Sequence, residues 1–306
     1  MEPARPHLEM RLDRFITLHI ARPLLRLRRP AGARLPVLMY HSISNDPEHS
    51  RSGYYKVCTT PTRFAEHMAC LGENGYDGVT LGTGLARLHS PQTGNGRKPV
   101  AITFDDGFRD FHTEAFPILQ RHRFQATMYL PTAFIADERQ SFQSRDCLTW
   151  SEVSELHSAG IEFGSHTVTH PKLIEADWPR IGVELRDSKA AIEQRLRGNV
   201  TAFAYPYAFP QAQKDFVSRF GQSLKQAGYE SCATTEVGRV GPGDDLLSLK
   251  RLPINEADDA PFLRAKLEGA YDWLAIPQAS AKAARQIVKR RTIRKFSKRA
   301  ELSVGT

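Results

Sequence analysis

Between residues 35 and 274 the chain alternates short, almost wholly apolar runs with longer runs of helical periodicity. The short runs are 37–41, 100–104, 126–130, 161–165, 201–205, 231–234 and 252–254. Strands apolar on both faces are buried on both faces, the condition of a parallel sheet covered by helices. Thr60-Pro61 offers an N-cap followed by proline at the first helical position, opening a helix that reaches about residue 74. Further helices are expected near 113–121, 151–159, 177–197, 211–227 and 261–274. This order specifies an α/β fold with a parallel sheet. So many strand–helix units suit a closed barrel better than an open sheet, although spacing alone does not prove closure.

Composition sets further bounds. With 41% hydrophobic and 25% charged residues among 306, the chain can build a real core. That excludes wholesale disorder, collagen and a small disulfide scaffold. No apolar run approaches the roughly 18 residues needed to cross a bilayer. Residues 1–35 also lack the apolar core and cleavage site of a secretory signal, so a cytoplasmic protein is expected. Cys58, Cys70, Cys147 and Cys232 show no C-x-x-C spacing and read as buried, reduced thiols.

Charge is distributed unevenly. Residues 1–35 hold 8 Lys/Arg and 3 Asp/Glu, and residues 276–306 hold 9 and 1, which leaves 25 basic and 30 acidic residues in 36–275. A nucleic-acid-binding body would itself be basic, so nucleic acid is not an expected partner. The ends read as segments that seek an anionic surface. Leu8, Leu12, Phe15 and Ile16 recur at helical spacing among arginines, which suits a helix in a membrane interface. The tail's main signal is its charge, and a solubilising end is the alternative for it.

Polar residues cluster where the apolar runs end, the position of function in parallel α/β folds. His41 ends the first run, Asp105-Asp106 follows Phe104, His166 follows Ser165, and Tyr207 follows Tyr205. Adjacent carboxylates repel unless a cation or a shared proton holds them together. Asp-Asp-Gly is also a common turn sequence. His166 and His170 are four residues apart, and on a helical turn they would share one face and could share one metal ion. Two histidines and one aspartate leave a fourth position for water, the pattern of a catalytic zinc site. The loop 132–149 is long and contains Phe142, which could wall a cleft.

T-F-D-D-G at 103–107, S-H-T-V-T-H at 165–170 and Y-P-Y at 205–207 resemble, in this order, the motifs of the polysaccharide deacetylase (NodB-homology) family, carbohydrate esterase family four. The resemblance covers roughly 35–274. It implies a distorted (β/α) barrel of seven or eight strands and metal-dependent removal of acetyl groups from sugars. Carried over, Asp105 is the general base, and Asp106, His166 and His170 hold the metal, Zn2+ or another divalent transition metal. Tyr205 and Tyr207 belong to the substrate and oxyanion side, with the backbone N–H of Tyr207 in the oxyanion hole.

Two family positions differ here. The third motif usually begins with an arginine that orients the base, where this chain has Ala204. The late Leu-x-His that supplies the general acid is absent: the region reads Leu249-Lys250-Arg251-Leu252, and the last histidine of the chain is His170. Met39-Tyr40-His41 is similar to the poly-N-acetylglucosamine deacetylase branch, which implies that His41 is the acid.

The expectation is therefore a basic amphipathic segment at 1–34, a deacetylase domain at 35–275 and a basic tail at 276–306. Its substrate would be an N-acetylated oligosaccharide or lipid-linked sugar, processed in the cytoplasm or at an anionic membrane surface. The alternatives are an O-acetyl sugar esterase and a catalytically inactive glycan-binding scaffold.

Overall fold

The computed structural model describes residues 11–27, 32–46, 48, 56–90 and 96–275. The expectations for the tail 276–306 and for Leu8 lie outside the described residues. Eight barrel strands are numbered in chain order: β1 (Val37–Tyr40), β2 (Tyr76–Val79), β3 (Lys98–Phe104), β4 (Thr127–Leu130), β5 (Glu162–Ser165), β6 (Ala202–Ala204), β7 (Ser231–Val237) and β8 (Leu249–Pro253). All pair in parallel. The ring runs β1-β8-β7-β6-β5-β4-β3 and closes because β1 also pairs with β3, Val37 opposite Ala101 and Tyr40 opposite Phe104. Seven strands therefore close the barrel. β2 lies beside the first half of β3, where Val79 meets Ala101, while β4 takes the second half, where Phe104 meets Met128.

β2 and the helix after it, Leu81–His89, were not among the expected elements. Tyr76-Asp77-Gly78-Val79 is polar and glycine-interrupted, so it lacks the apolar signature of its neighbours. Gly78 is required by packing: a Cβ there would meet Phe124 and Ile102 atoms at 2.6–2.8 Å. The helix sets Leu81 and Leu88 into the cluster at the strand starts and closes the barrel from below. The expected helices form as Pro61–Glu73, Trp150–Ser158, Trp178–Leu196, Lys214–Gln226 and Ala260–Glu268. Residues 113–121 fall in a π-helical turn, Phe111–Ala115, and the helix Phe116–His122. Thr60 accepts from the amide of Arg63 as the N-cap, worth about 1 kcal/mol. Gly269, at φ +95, ends the last of these helices short of the expected residue 274.

Strand alternation sorts the side chains. Val37, Ala101, Tyr129, Ala202, Ala204, Ala233 and Leu249 form the inner cluster. Leu38, Tyr40, Val100, Ile102, Phe104, Phe203 and Leu252 pack outward against the helices. Small inner residues suit a narrow lumen. Gly164 shares the inner parity, since a Cβ there would lie 2.6 Å from Tyr129 and 2.7 Å from the Ala202 carbonyl. All four cysteines are buried and unbridged.

Residues 12–26 form a helical segment (Leu12–Ile16, Thr17–Ala21, Arg22–Arg26) lying against the helix Ala260–Glu268 and the chain just after it. Among the described residues no helix is long and apolar enough to cross a membrane.

Candidate active site

The inner parity carries chemistry to the mouth of the barrel. Counting in twos from Val37 reaches His41, from Ala101 reaches Asp105, and from Gly164 reaches His166. From Leu249 the count reaches Arg251. Asp106, next to Asp105, would point outward on a continuing strand. Its φ of 73° turns it back, so both carboxylates reach the same mouth. Thr167 (72°), His170 (54°) and Tyr207 (58°) are also left-handed. A β-branched residue such as Thr167 adopts that region only under constraint, and such residues gather at functional sites.

The loop carrying the histidines is therefore not the helical turn expected from their spacing. It is a backbone coil pinned from several sides. Thr167 N–H donates to Ser165 Oγ (3.1 Å), and His170 N–H donates to Thr167 Oγ1 (2.9 Å). Fully buried Glu184, on the helix Trp178–Leu196, accepts from the amides of Val168 (2.7 Å) and Thr169 (2.9 Å) and from Thr169 Oγ1 (2.7 Å). Together these bonds hold the loop in which the two imidazoles lie with ring centres 4.7 Å apart.

His166 Nδ1 lies 2.8 Å from the Ala204 carbonyl. A carbonyl only accepts, so Nδ1 carries the proton and Nε2 presents a lone pair. That Nε2 is 3.2 Å from His170 Nε2 and 3.6 Å from Asp106 Oδ1, and His170 Nε2 is 3.4 Å from the same oxygen. Asp106 Oδ1 is buried with no hydrogen-bond partner. Three buried ligand atoms converge there, and a cation joining them would satisfy Asp106 Oδ1. The donor set, one carboxylate and two imidazoles, suits a divalent transition metal. These three residues could hold such an ion, and among the described residues no other cluster of three or more His, Cys, Asp or Glu meets that geometry.

The electrostatics separate the two carboxylates. Burial and the neighbouring Asp105 charge push Asp106 up to about 8. Burial alone would raise Asp105 too, but Arg251 overrides it and holds this carboxyl well below the usual range. Burial lowers His166, and burial together with His166 lowers His170 to about 3. Both rings therefore present neutral nitrogens.

Arg251 is the residue that the sequence reading missed. Fully buried, it clamps Asp105 by two bonds of 2.7 Å, and its Nε donates to the Thr234 carbonyl (2.9 Å). It lies in the lumen over the Tyr129 ring, 5.9 Å from the centroid. The arginine missing at Ala204 is thus supplied from β8, two strands away around the ring. The available signal was an arginine two residues after Leu249, in the inner parity of the strand Leu249–Pro253.

His41 is at the mouth with Nε2 3.9 Å from Asp105 Oδ2. Burial lowers it to about 4 against the attraction of Asp105, with Arg251 adding to the shift. Tyr207 is half exposed and presents its ring edge-on to His170 at 4.6 Å. Tyr205 is not brought to the site. Alternation sends it outward with Phe203, and its ring is buried against Phe209 (5.0 Å) and Phe220 (5.3 Å). Phe142 belongs to a hairpin (Ser141–Phe142 with Arg145–Asp146), 4.4 Å from Phe134 and 5.1 Å from His170, and so walls the mouth.

The polysaccharide deacetylase family model matches residues 92–231. That span includes Asp105, Asp106, His166, His170 and Tyr207, but neither His41 nor Arg251. A putative polysaccharide deacetylase of Bacillus subtilis is 28% identical over 243 residues, 78% of this chain and 76% of that protein. A poly-beta-1,6-N-acetyl-D-glucosamine N-deacetylase of Staphylococcus aureus is 26% identical over 173 residues, 54% of this chain and 56% of that protein. The chain thus spans little more than half of the latter. Among solved structures, the Streptococcus pyogenes deacetylase PplD in complex with acetate superposes with a TM-score of 0.64 at 27% identity, covering 77% of this chain and 99% of that one. Fold and matches together define the class as a hydrolytic carbohydrate deacetylase. Over residues 92–231 the chain matches the polysaccharide deacetylase family, and the similar proteins and structures named above are deacetylases.

Proposed function

We propose that the protein is a metal-dependent hydrolase removing acetyl groups from N-acetylated sugars of a glycan or glycolipid precursor. One observation carries this reading: the unshared lone pairs of Asp106, His166 and His170 converge next to a carboxylate that Arg251 clamps by both oxygens. Kinship to the staphylococcal poly-N-acetylglucosamine enzyme supports an N-acetyl glycan as substrate. The basic ends extend the reading to a cytoplasmic, membrane-peripheral location at an anionic surface, where a lipid-linked sugar of exopolysaccharide or envelope synthesis would be processed. The residues 35–275 would form the catalytic domain, between the basic segments 1–34 and 276–306.

Asp106, His166 and His170 would hold the ion, zinc or another divalent transition metal. When bound, it supplies Lewis-acid polarisation of the acetyl carbonyl and a lowered pKa for water. Asp105 accepts the proton of the attacking water, its two oxygens held by Arg251. That clamp also makes Asp105 a weak holder of the proton. His41, neutral in the resting site, takes it and delivers it to the departing nitrogen, which leaves poorly as an anion. The backbone N–H of Tyr207 hydrogen-bonds the developing oxyanion.

The test is acetate release from an N-acetyl-oligosaccharide and from an O-acetyl sugar ester, with chelator and with metal restored. Chelator-sensitive amide cleavage is expected. Ester cleavage alone would make the protein an O-acetyl esterase, and sugar binding without any acetate release would make it a scaffold. His41→Ala should retain metal and fold but lose roughly 10²–10⁴-fold in amide turnover, with a far smaller loss on an activated aryl acetate. Equal losses on both substrates would remove the proton-donor role.

A further inference from the structure

The helical residues 12–26 sit on the body inside out. An amphipathic helix docked on a globular body turns its apolar stripe inward. Here the inward side is mainly polar, with Leu18 alone of this segment packed against the main core. Buried Thr17 accepts from Trp273 Nε1 (3.1 Å), and Asp13 accepts from the Tyr271 hydroxyl (2.8 Å). Arg11 pairs with Asp258, Arg14 with Asp259, and Arg22 by two bonds with Glu268. The apolar side chains point away: Leu12 is 65% exposed, Phe15 48%, Ile20 48%, Leu24 55% and Leu27 84%. Only Val183, Tyr207 and Leu246 are counted with them as exposed large hydrophobics elsewhere among the described residues, so the stripe is a local feature.

Arg11, Arg14 and Arg22 are engaged by the body's acids and are not the charges this stripe presents. Arg26 is exposed at its end, and Arg28 and Arg29 follow in sequence. The described body ends at Ala275, two residues beyond the Trp273 that bonds Thr17. The sequence continues from there into 276–306, which holds 9 Lys/Arg against Glu301.

We propose that this stripe is a docking face for an anionic lipid bilayer. Leu12, Phe15, Ile20, Leu24 and Leu27 enter the boundary between headgroups and acyl chains, and Arg26 meets the anionic headgroups, which also attract the net positive charge that the sequence carries at its two ends. A second copy of the chain would cover the same apolar residues but would bring two chains of like net charge together, which is unfavourable. An anionic surface answers both features at once. Because Arg11 and Arg14 meet the start of the helix Ala260–Glu268 and Arg22 meets its end, the segment runs along that helix from one end to the other. This gives a surface to the membrane-peripheral location read above from the basic ends, and rests on that reading for its purpose.

The full chain is tested by sedimentation with phosphatidylcholine vesicles, with and without phosphatidylglycerol. Binding is expected with phosphatidylglycerol. The combined variant Leu12→Gln, Phe15→Gln, Ile20→Gln, Leu24→Gln and Leu27→Gln should bind at least about 10-fold more weakly. The residual binding should fall with salt. Acetate release from a soluble N-acetyl-oligosaccharide should not change. A polarity-sensitive probe on Phe15→Cys should shift to the blue on those vesicles, and one on Val183→Cys should not. This second readout stands even where the combined variant folds poorly. Equal binding by parent and combined variant, no binding by the parent, or no probe shift at position 15 overturns the proposal. So does a parent dimer that the combined variant abolishes in the absence of vesicle binding, which would assign the stripe to a second copy. Vesicle binding is read without substrate, so its failure leaves the deacetylase reading standing, and failure of acetate release leaves this one standing.

Discussion

Tyr40 and His41 are neighbours that point to opposite sides of β1 and enter two different buried polar clusters. Tyr40 donates to His67 Nδ1 (3.0 Å), and His67 Nε2 donates to the Asp258 carbonyl (2.6 Å). The Asp258 carboxylate accepts from Lys266 (2.9 Å), Arg11 (3.3 Å) and the Asn255 amide (2.9 Å). None of these polar side chains lacks a partner. On the other side, His41 faces a cluster in which Asp106 Oδ1 and His170 Nδ1 are buried and unpartnered. Both clusters bury carboxylate, imidazole and cation, and both perturb their titratable groups. What separates them is unmet valence. A closed cluster stabilises the fold, and an open one is arranged for something not yet bound.

The comparison can be broken most decisively at the three candidate ligands. Asp106→Ala, His166→Ala and His170→Ala should each lower bound metal and reduce acetate release to background, while the metal-free Asp106→Ala protein loses little stability because Asp106 Oδ1 has no partner to lose, and His166→Ala loses more because its bond to the Ala204 carbonyl goes with it. Metal analysis, acetate assay and a melt of the stripped protein check this. Full metal occupancy in all three would mean that the ligands lie elsewhere.

Arg251 joins the open cluster to the fold and should report on both. Arg251→Met leaves Asp105 buried without its partner, so a loss of about 3–5 kcal/mol in denaturant unfolding is expected. Amide turnover should fall by about 10²–10⁴-fold where the folded variant can be assayed. Retained turnover would detach Asp105's clamp from the chemistry.

In the closed cluster, Lys266→Met should also cost about 3–5 kcal/mol, because Asp258 loses its buried counter-charge. Metal stoichiometry should be unchanged. If the metal-free Asp106→Ala protein loses as much stability as this one, unmet valence is not what distinguishes the two clusters.

The smallest effect concerns the loop that walls the mouth. Burial alone would raise the Glu152 carboxyl, but donors from Arg139, the Thr149 amide and Arg109 bring it from 4.5 to about 2. A depressed folded-state pKa adds stability above the unfolded value that is lost as pH falls through the folded one. Glu152→Gln should therefore lower the Tm at pH 7, and the gap should close as the pH falls from 4.5 toward 2. A gap independent of pH would assign the effect to packing.

The strands were legible as apolar runs, but which of their faces points inward was not, because both faces are apolar. Only the barrel turns His41, Asp105 and His166 inward and sends Tyr205 outward. The order of elements, the paired carboxylates and the two histidines are local patterns, and local patterns survive in a one-dimensional string. β2 was not legible, because its glycine answers to Phe124 and Ile102, residues distant in sequence.

By itself, then, the sequence determined a parallel α/β fold, the placing of Asp105, Asp106, His166 and His170 where apolar runs end, and the concentration of positive charge at the two ends. Only the tertiary structure decided which cation holds Asp105. Arg251 is 146 residues away, and the two meet because β1 closes the ring between β3 and β8. It also decided that the histidine loop is a strained coil pinned by Glu184 and not a helical turn. Lastly, it decided which face of residues 12–26 is free, because Asp258, Asp259 and Glu268 take up the arginines and turn the apolar side outward. The physical reason is common to all three. Periodicity is written in neighbouring residues, whereas ion pairs and buried hydrogen bonds depend on groups that only chain closure brings within reach.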